Sequence, residues 1–241
     1  MMRLPDFIVA GVRKCGTTWL HTCLSEHPQI FVPPQTKEIF FFDRHWDRGL
    51  AWYARHFAAA PPGRICGEAT PGYFAVPGMP ERIKGAVPDA KIVFVFRDPI
   101  RRAVSLYQHM LSIGYTRLSF ADALEEMPEI IDEGHYDSYF ESYERCFGRA
   151  ALFPLILEQA KAEGDAGLAA LFAFLGVDPA FRPPSLLRTA YEQRTARNHV
   201  FGWLTGRLTM VFRDRGLHWV VNGLKRAGFR RLLYKDRADT V

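Results

Sequence analysis

An apolar run, Phe7 to Ala10, leads into Gly11-Val12-Arg13-Lys14-Cys15-Gly16-Thr17-Thr18. Two glycines five residues apart, a lysine between them and two hydroxyls after them are residue types that hold a phosphate or a sulfate. Gly11 and Gly16 let the backbone turn and approach a ligand closely. The helix that Thr17 opens, with Trp19, Leu20, Cys23 and Leu24 on its apolar face, offers an anion unpaired N–H groups and the positive end of its dipole. The spacing nearly reproduces the GxxxxGK[ST] loop of ATP and GTP enzymes. Its lysine is displaced, however. Lys14 stands inside the loop and Thr17 takes the usual lysine position, so the Lys-Ser/Thr pair that would serve magnesium is missing. Taken alone, the loop also fits a ligand-free glycine turn between a strand and a helix.

A second junction of the same kind follows the apolar, β-branched run Lys91 to Phe96. There Asp98 is a good helix N-cap and Pro99 a good first helical residue, and the helix carries Ala103, Val104, Leu106, Tyr107 and Met110, with Ser105 among them. Arg97 at the carboxyl end of a parallel strand sits where open α/β sheets bind ligands, and its fork suits a phosphate. Pairing with Asp98 or another carboxylate is the plainer use for it. Two such junctions on two strands point to one nucleotide with two anionic groups, the transferable one at Lys14 and a second phosphate at Arg97.

The elements that must position these residues make an α/β chain. Its 241 residues, 48% of them hydrophobic, suit one domain over 1–241 with ample core. An α/β part over 5–182 precedes a basic, helical C-terminal section over 183–241, with Phe181–Pro184 as the division. Nine Lys/Arg against three Asp from Phe201 onward give that tail +6, which leaves residues 1–200 at −1 of the overall +5. Interleaved Trp203, Leu204, Phe212, Trp219 and Phe229 read as amphipathic helices broken at Gly216 and Gly228. They fit either a packed helix pair with a solvated basic face or a peripheral surface for an acidic acceptor or an anionic membrane. Apolar runs fall short of a membrane span, and the first strand begins too soon after Met1 for a secretory leader, so a cytoplasmic location is expected. Cys15, Cys23, Cys66 and Cys146 are too scattered for a zinc motif and read as reduced thiols, Cys15 being a small loop residue. No nucleic-acid-binding motif is present, and the sequence does not read out an oligomeric state.

The first loop, TKEIFFFD (Thr36–Asp43), GLAWYARHF, GEATPGYF, PERI and RDPIRRAVSLYQHM occur together and in order. Over about Pro5 to Gly114, with echoes in EGHYDSYFESYERCF and FLGV, the chain resembles the sulfotransferases that use 3′-phosphoadenosine 5′-phosphosulfate (PAPS), especially the heparan-sulfate and bacterial carbohydrate-type branch. The resemblance implies a P-loop-like three-layer fold, a central parallel sheet flanked by helices. It implies that Arg13, Lys14, Cys15, Gly16, Thr17 and Thr18 form the 5′-phosphosulfate loop, with Lys14 stabilising charge on the leaving oxygen. Arg97 and Ser105 match the pair that grips the 3′-phosphate. Glu38 matches the carboxylate that takes the acceptor's proton, although beside Lys37 and before Ile39–Phe42 it also fits a strand-edge salt bridge. His135 is a competing base. Arg194 and Arg197, within RTARN, are candidates for late cofactor contacts. No metal is implied, since a sulfuryl group carries less negative charge than a phosphoryl group; the product is 3′-phosphoadenosine 5′-phosphate (PAP).

This chain departs from the heparan-sulfate pattern at Ala69, where that branch has a lysine, and it lacks a later RKGxxG segment. The acceptor is therefore left as a hydroxyl on a carbohydrate, a lipid-linked sugar, a small alcohol or a peptide tyrosine. An ATP-dependent small-molecule or nucleotide kinase is the alternative enzyme, and a non-catalytic nucleotide- or polyanion-binding protein the alternative outside catalysis.

Overall fold

The computed structural model describes residues 2–162 and 165–186, and the backbone of Arg194–Ala196 and Tyr234–Asp236. The chain clusters into two compact units, 1–102 with 133–188, and 103–132 with 189–241.

The first unit holds a parallel sheet of β1 (Phe7–Gly11), β2 (Ile30–Phe31), β3 (Ile65–Ala69), β4 (Lys91–Phe96) and β5 (Leu152–Ile156), in the order β2-β3-β1-β4-β5. β1 is buried along its whole length, which is why it reads as a continuous apolar run rather than an alternating one. Gly67 of β3 is required there, because the Phe7 ring of the neighbouring strand fills the space a Cβ would need. β1 and β4 end side by side, and the Val12 N–H donates to the Val95 carbonyl at 3.1 Å. The turns that leave these two strands, with Lys14 in one and Arg97 in the other, are thereby brought together.

α1 (Thr17–Glu26) buries Thr17, Trp19, Leu20, Cys23 and Leu24, the face its spacing predicts. The helices α2 (Phe41–Arg44), α3 (Gly49–Ala54) and α4 (Met79–Ala86) follow, and α5 (Pro99–Ser112) begins at the end of this part of the unit. Asp98 caps α5 as expected, its Oδ1 accepting from the Arg101 N–H at 2.8 Å. Beyond Phe181–Pro184 the chain still bonds to α1. Ser185 gives its N–H and hydroxyl to Glu26 at 3.0 and 2.6 Å, and the Trp19 indole N–H donates to the Leu186 carbonyl.

The second unit has its own small core, in which Ala103, Leu106 and Met110 of α5 pack with Ala123 of α6 (Phe120–Glu126) and Ile130 of α7 (Glu129–Asp132). Ser119 caps α6 by accepting from the Asp122 N–H at 3.2 Å. The first unit resumes with α8 (Tyr136–Phe147), α9 (Leu157–Ala162) and α10 (Ala166–Leu175). Farther along the C-terminal section, β6 (Arg194–Ala196) pairs antiparallel with β7 (Tyr234–Asp236). The helices read between Phe201 and Leu232, and Arg197, lie outside the described residues; the side chain of Arg194 does too.

Candidate active site

Gly16 stands at the N-cap of α1 with φ +92°, and a Cβ there would come within 2.8 Å of the Leu157 side chain. Both constraints call for glycine. Lys14, two residues earlier, is itself left-handed at φ +68°. A lysine held in that sparsely populated region is backbone strain at the place where the sequence predicts an anion.

Three cations converge on this turn. The Arg97 Nη1 donates to the Lys14 carbonyl at 3.3 Å, and burial, the Lys37 ammonium and the Arg97 guanidinium all pull the Lys14 pKa below its ordinary value, with Glu38 opposing them. Lys37 was not anticipated as a site residue. Its Nζ donates to Thr17 Oγ1 at 3.2 Å, to Thr18 Oγ1 at 3.0 Å and to Glu38 Oε1 at 3.3 Å, so one ammonium joins the start of α1 to the candidate base. Lys-Glu before an apolar run was the available signal; its direction in space was not.

Glu38 lies in the irregular turn before α2, half-buried, and not on a strand edge. The Ile39 N–H that follows it is anchored to Thr70 Oγ1 at 3.2 Å. Behind that contact sits a second carboxylate, Glu68 of β3, only 1% exposed. It accepts from the Tyr53 hydroxyl and from Thr70 Oγ1 at 2.7 Å, and burial pushes its pKa from 4.5 up to about 7. A charged residue inside the strand ICGEA was the sequence signal for it.

The other predicted residues are placed as follows. The Arg13 guanidinium forms a two-pronged ion pair with Glu133, Nε to Oε2 at 3.0 Å, and Glu133 also meets the fully buried Arg102 at 3.5 Å. Arg97 has Glu158 at 4.0 Å as its carboxylate partner. Cys15 is buried, with the Tyr136 hydroxyl 3.6 Å from its sulfur, and burial raises its pKa to about 11. That thiol is a packing group, as the sequence suggests. Tyr136 also donates to the Arg97 carbonyl at 2.9 Å, so one phenol touches both turns. His135, next to it, is exposed at the N-cap of α8, and its ring makes no hydrogen bond among the described residues. Ser105 is half-buried on α5 in the second unit.

Chains of similar sequence and fold are known. The sulfotransferase domain family matches residues 4–195. The chain belongs to the sulfotransferase family. Among sulfotransferases of known structure, that of Alicyclobacillus acidocaldarius superposes with a TM-score of 0.68 at 31% identity, over 76% of this chain and 85% of that one. A mouse sulfotransferase crystallised with PAP shares the fold, with a TM-score of 0.56 at 20% identity over 78% of this chain and 65% of that one. Mouse heparan sulfate glucosamine 3-O-sulfotransferase 6 is 43% identical over 110 residues, 46% of this chain and 32% of its own length. The membrane-associated sulfotransferase kil1 of Dictyostelium discoideum is 33% identical over 159 residues, 60% of this chain and 33% of its own. The chain thus spans about a third of the length of the curated relatives it matches.

Proposed function

We propose that this sulfotransferase-family chain moves a sulfuryl group from PAPS to an acceptor hydroxyl. The observation that carries the reading is the convergence of Lys14, Lys37 and Arg97 on the start of α1, with Glu38 bonded to one of the three. Cations packed this closely repel one another, and a polyanion relieves that repulsion while meeting the helix N–H groups. The donor set fits PAPS, which would supply the sulfuryl group and a 3′,5′-bisphosphate leaving group.

The chain's own residues then divide the work. Lys14 stabilises charge gathering on the leaving phosphate oxygen. Lys37, tied to both threonines, holds the transferable group against α1. Glu38 takes the acceptor proton as the acceptor oxygen bonds to sulfur and the sulfur–oxygen bond to phosphate breaks. Acceptor O–H and PAPS give acceptor O–SO₃⁻, PAP and one proton. Arg97 is assigned to the second phosphate. Glu38 rather than His135 is the base, because Glu38 shares Lys37 with the helix start, whereas the His135 ring has no hydrogen bond to the cluster.

Four free thiols fit a reducing compartment such as the cytoplasm. No helix among the described residues is long and apolar enough to cross a membrane. The acceptor class is a carbohydrate hydroxyl, supported by the heparan sulfate glucosamine relatives. The test is PAP release from PAPS with monosaccharide, heparan-type oligosaccharide, glycolipid and phenol acceptors. Acceptor-dependent release supports the reading; release from ATP in place of PAPS, with magnesium required, replaces it with a kinase.

A further inference from the structure

We propose that Glu68 is a positioning residue for this reaction: its buried carboxylate fixes the peptide between Glu38 and Ile39, and so sets where the proton acceptor stands. The inference rests on Glu38 being the base.

An ionised carboxylate at 1% exposure is tolerated in a sheet interior only when its oxygens are fully engaged. Here they are. Tyr53 from α3 donates to Oε1, and Thr70 donates to Oε2 at 2.7 Å. The direction of the bonds matters. A threonine hydroxyl has one hydrogen, and Thr70 gives it to Glu68, which leaves its lone pairs for the Ile39 N–H at 3.2 Å. The carboxylate therefore anchors Ile39 through Thr70. Lys37 and Glu38 are the two residues before that anchor; Lys37 reaches Thr17 and Thr18 and holds Glu38 Oε1 at 3.3 Å.

A structural salt bridge would need a cation, and among the described residues the groups facing Glu68 supply none at contact. They are Tyr53, Thr70, Tyr73 of the turn after β3, and Asp43 of α2, with Arg44 and His45 beside Asp43. Burial first, and Asp43 second, raise the Glu68 pKa to about 7, while the phenols of Tyr53 and Tyr73 are pushed well above 10 and stay donors. Protonation of Glu68 near neutrality turns one accepting oxygen into a donor. Thr70 is then free to reverse, and the Ile39 anchor loosens.

The test uses the full chain with Glu68→Gln, Thr70→Val and Thr70→Ser, reading the exchange rate of the Ile39 amide by NMR, PAP affinity, and kcat and KM against pH. Glu68→Gln is expected to speed Ile39 exchange and lower kcat about 10- to 100-fold, the scale of a lost hydrogen bond to a charged group. PAP affinity should stay within about twofold, and the acid limb of kcat near pH 7 should disappear. Thr70→Val should share the loss and Thr70→Ser should restore it. Glu68→Gln with wild-type Ile39 exchange and pH profile overturns the proposal, and if that variant does not fold, an unaltered Thr70→Val does so. Full turnover by Glu38→Gln would instead remove the base while the exchange result stands, so the two failures separate.

Discussion

The α1 side and the β3 side of the Lys37–Glu38 turn handle charge in opposite ways. Toward α1, Lys14, Lys37 and Arg97 are half-buried, crowd one another and depress the Lys14 pKa. Toward β3, Glu68 is sealed from water and surrounded by donors matched to its oxygens. Charge that is accessible and mutually repelling is arranged for something that arrives; charge that is buried and satisfied holds the scaffold. The same distinction sorts the arginines. Arg102, buried against Glu133, belongs with the scaffold, and Arg97, half-exposed at the Lys14 turn, is the one we assign to the ligand.

The largest effect that sharpens this contrast is at Glu38. Glu38→Gln should lower turnover by about 10²- to 10⁴-fold, the range for losing a general base, with PAP affinity nearly unchanged. Steady-state rates beside calorimetric affinities check it, and substantial activity would take Glu38 out of the mechanism. Lys37→Met should come next, lowering kcat/KM for PAPS about 10- to 100-fold because a charge-assisted contact is lost on the ligand side. An unchanged constant would move Lys37 to the scaffold.

Stability against pH separates the two sides by sign. Glu68 holds a proton in the folded chain up to about pH 7, whereas unfolded it has lost that proton above 4.5. Its contribution to stability therefore falls as pH rises through that window. His21 of α1 runs the other way, since burial and Lys37 hold it to about 4 from an ordinary 6.5, so its contribution rises with pH. Taking the melting temperature of wild type minus Glu68→Gln cancels His21. The difference should decline from pH 5 to pH 8, and a flat difference would contradict the buried carboxylate. The smallest effect is at the thiols. Cys146, the half-exposed one, should react first with a thiol reagent at neutral pH, while Cys15, raised to about 11, should wait for unfolding.

Much of this arrangement was legible in the sequence because it is local. The strand at Phe7, the Gly16 helix start, the strand Lys91–Phe96 and the Asp98 cap each follow from neighbouring residues, and the structure has all four. What could not be read were contacts made across the fold. Lys37 meets Thr18 nineteen residues back, Arg13 meets Glu133 across 120 residues, and Glu68 is satisfied by Tyr53 and Thr70 through packing that no period in the sequence encodes. Ala69 is similar. Its departure from the heparan-sulfate pattern was visible, but its burial at 1% beside β1 was not.

The most direct measurement is calorimetric titration of wild type and Arg97→Ala with PAP and with ATP, each in magnesium and in chelator. The account predicts PAP binding that does not depend on metal and is weakened at least about tenfold in Arg97→Ala, the scale of a lost bond to a charged group. Preference for magnesium-ATP, or PAP binding indifferent to Arg97, would contradict it.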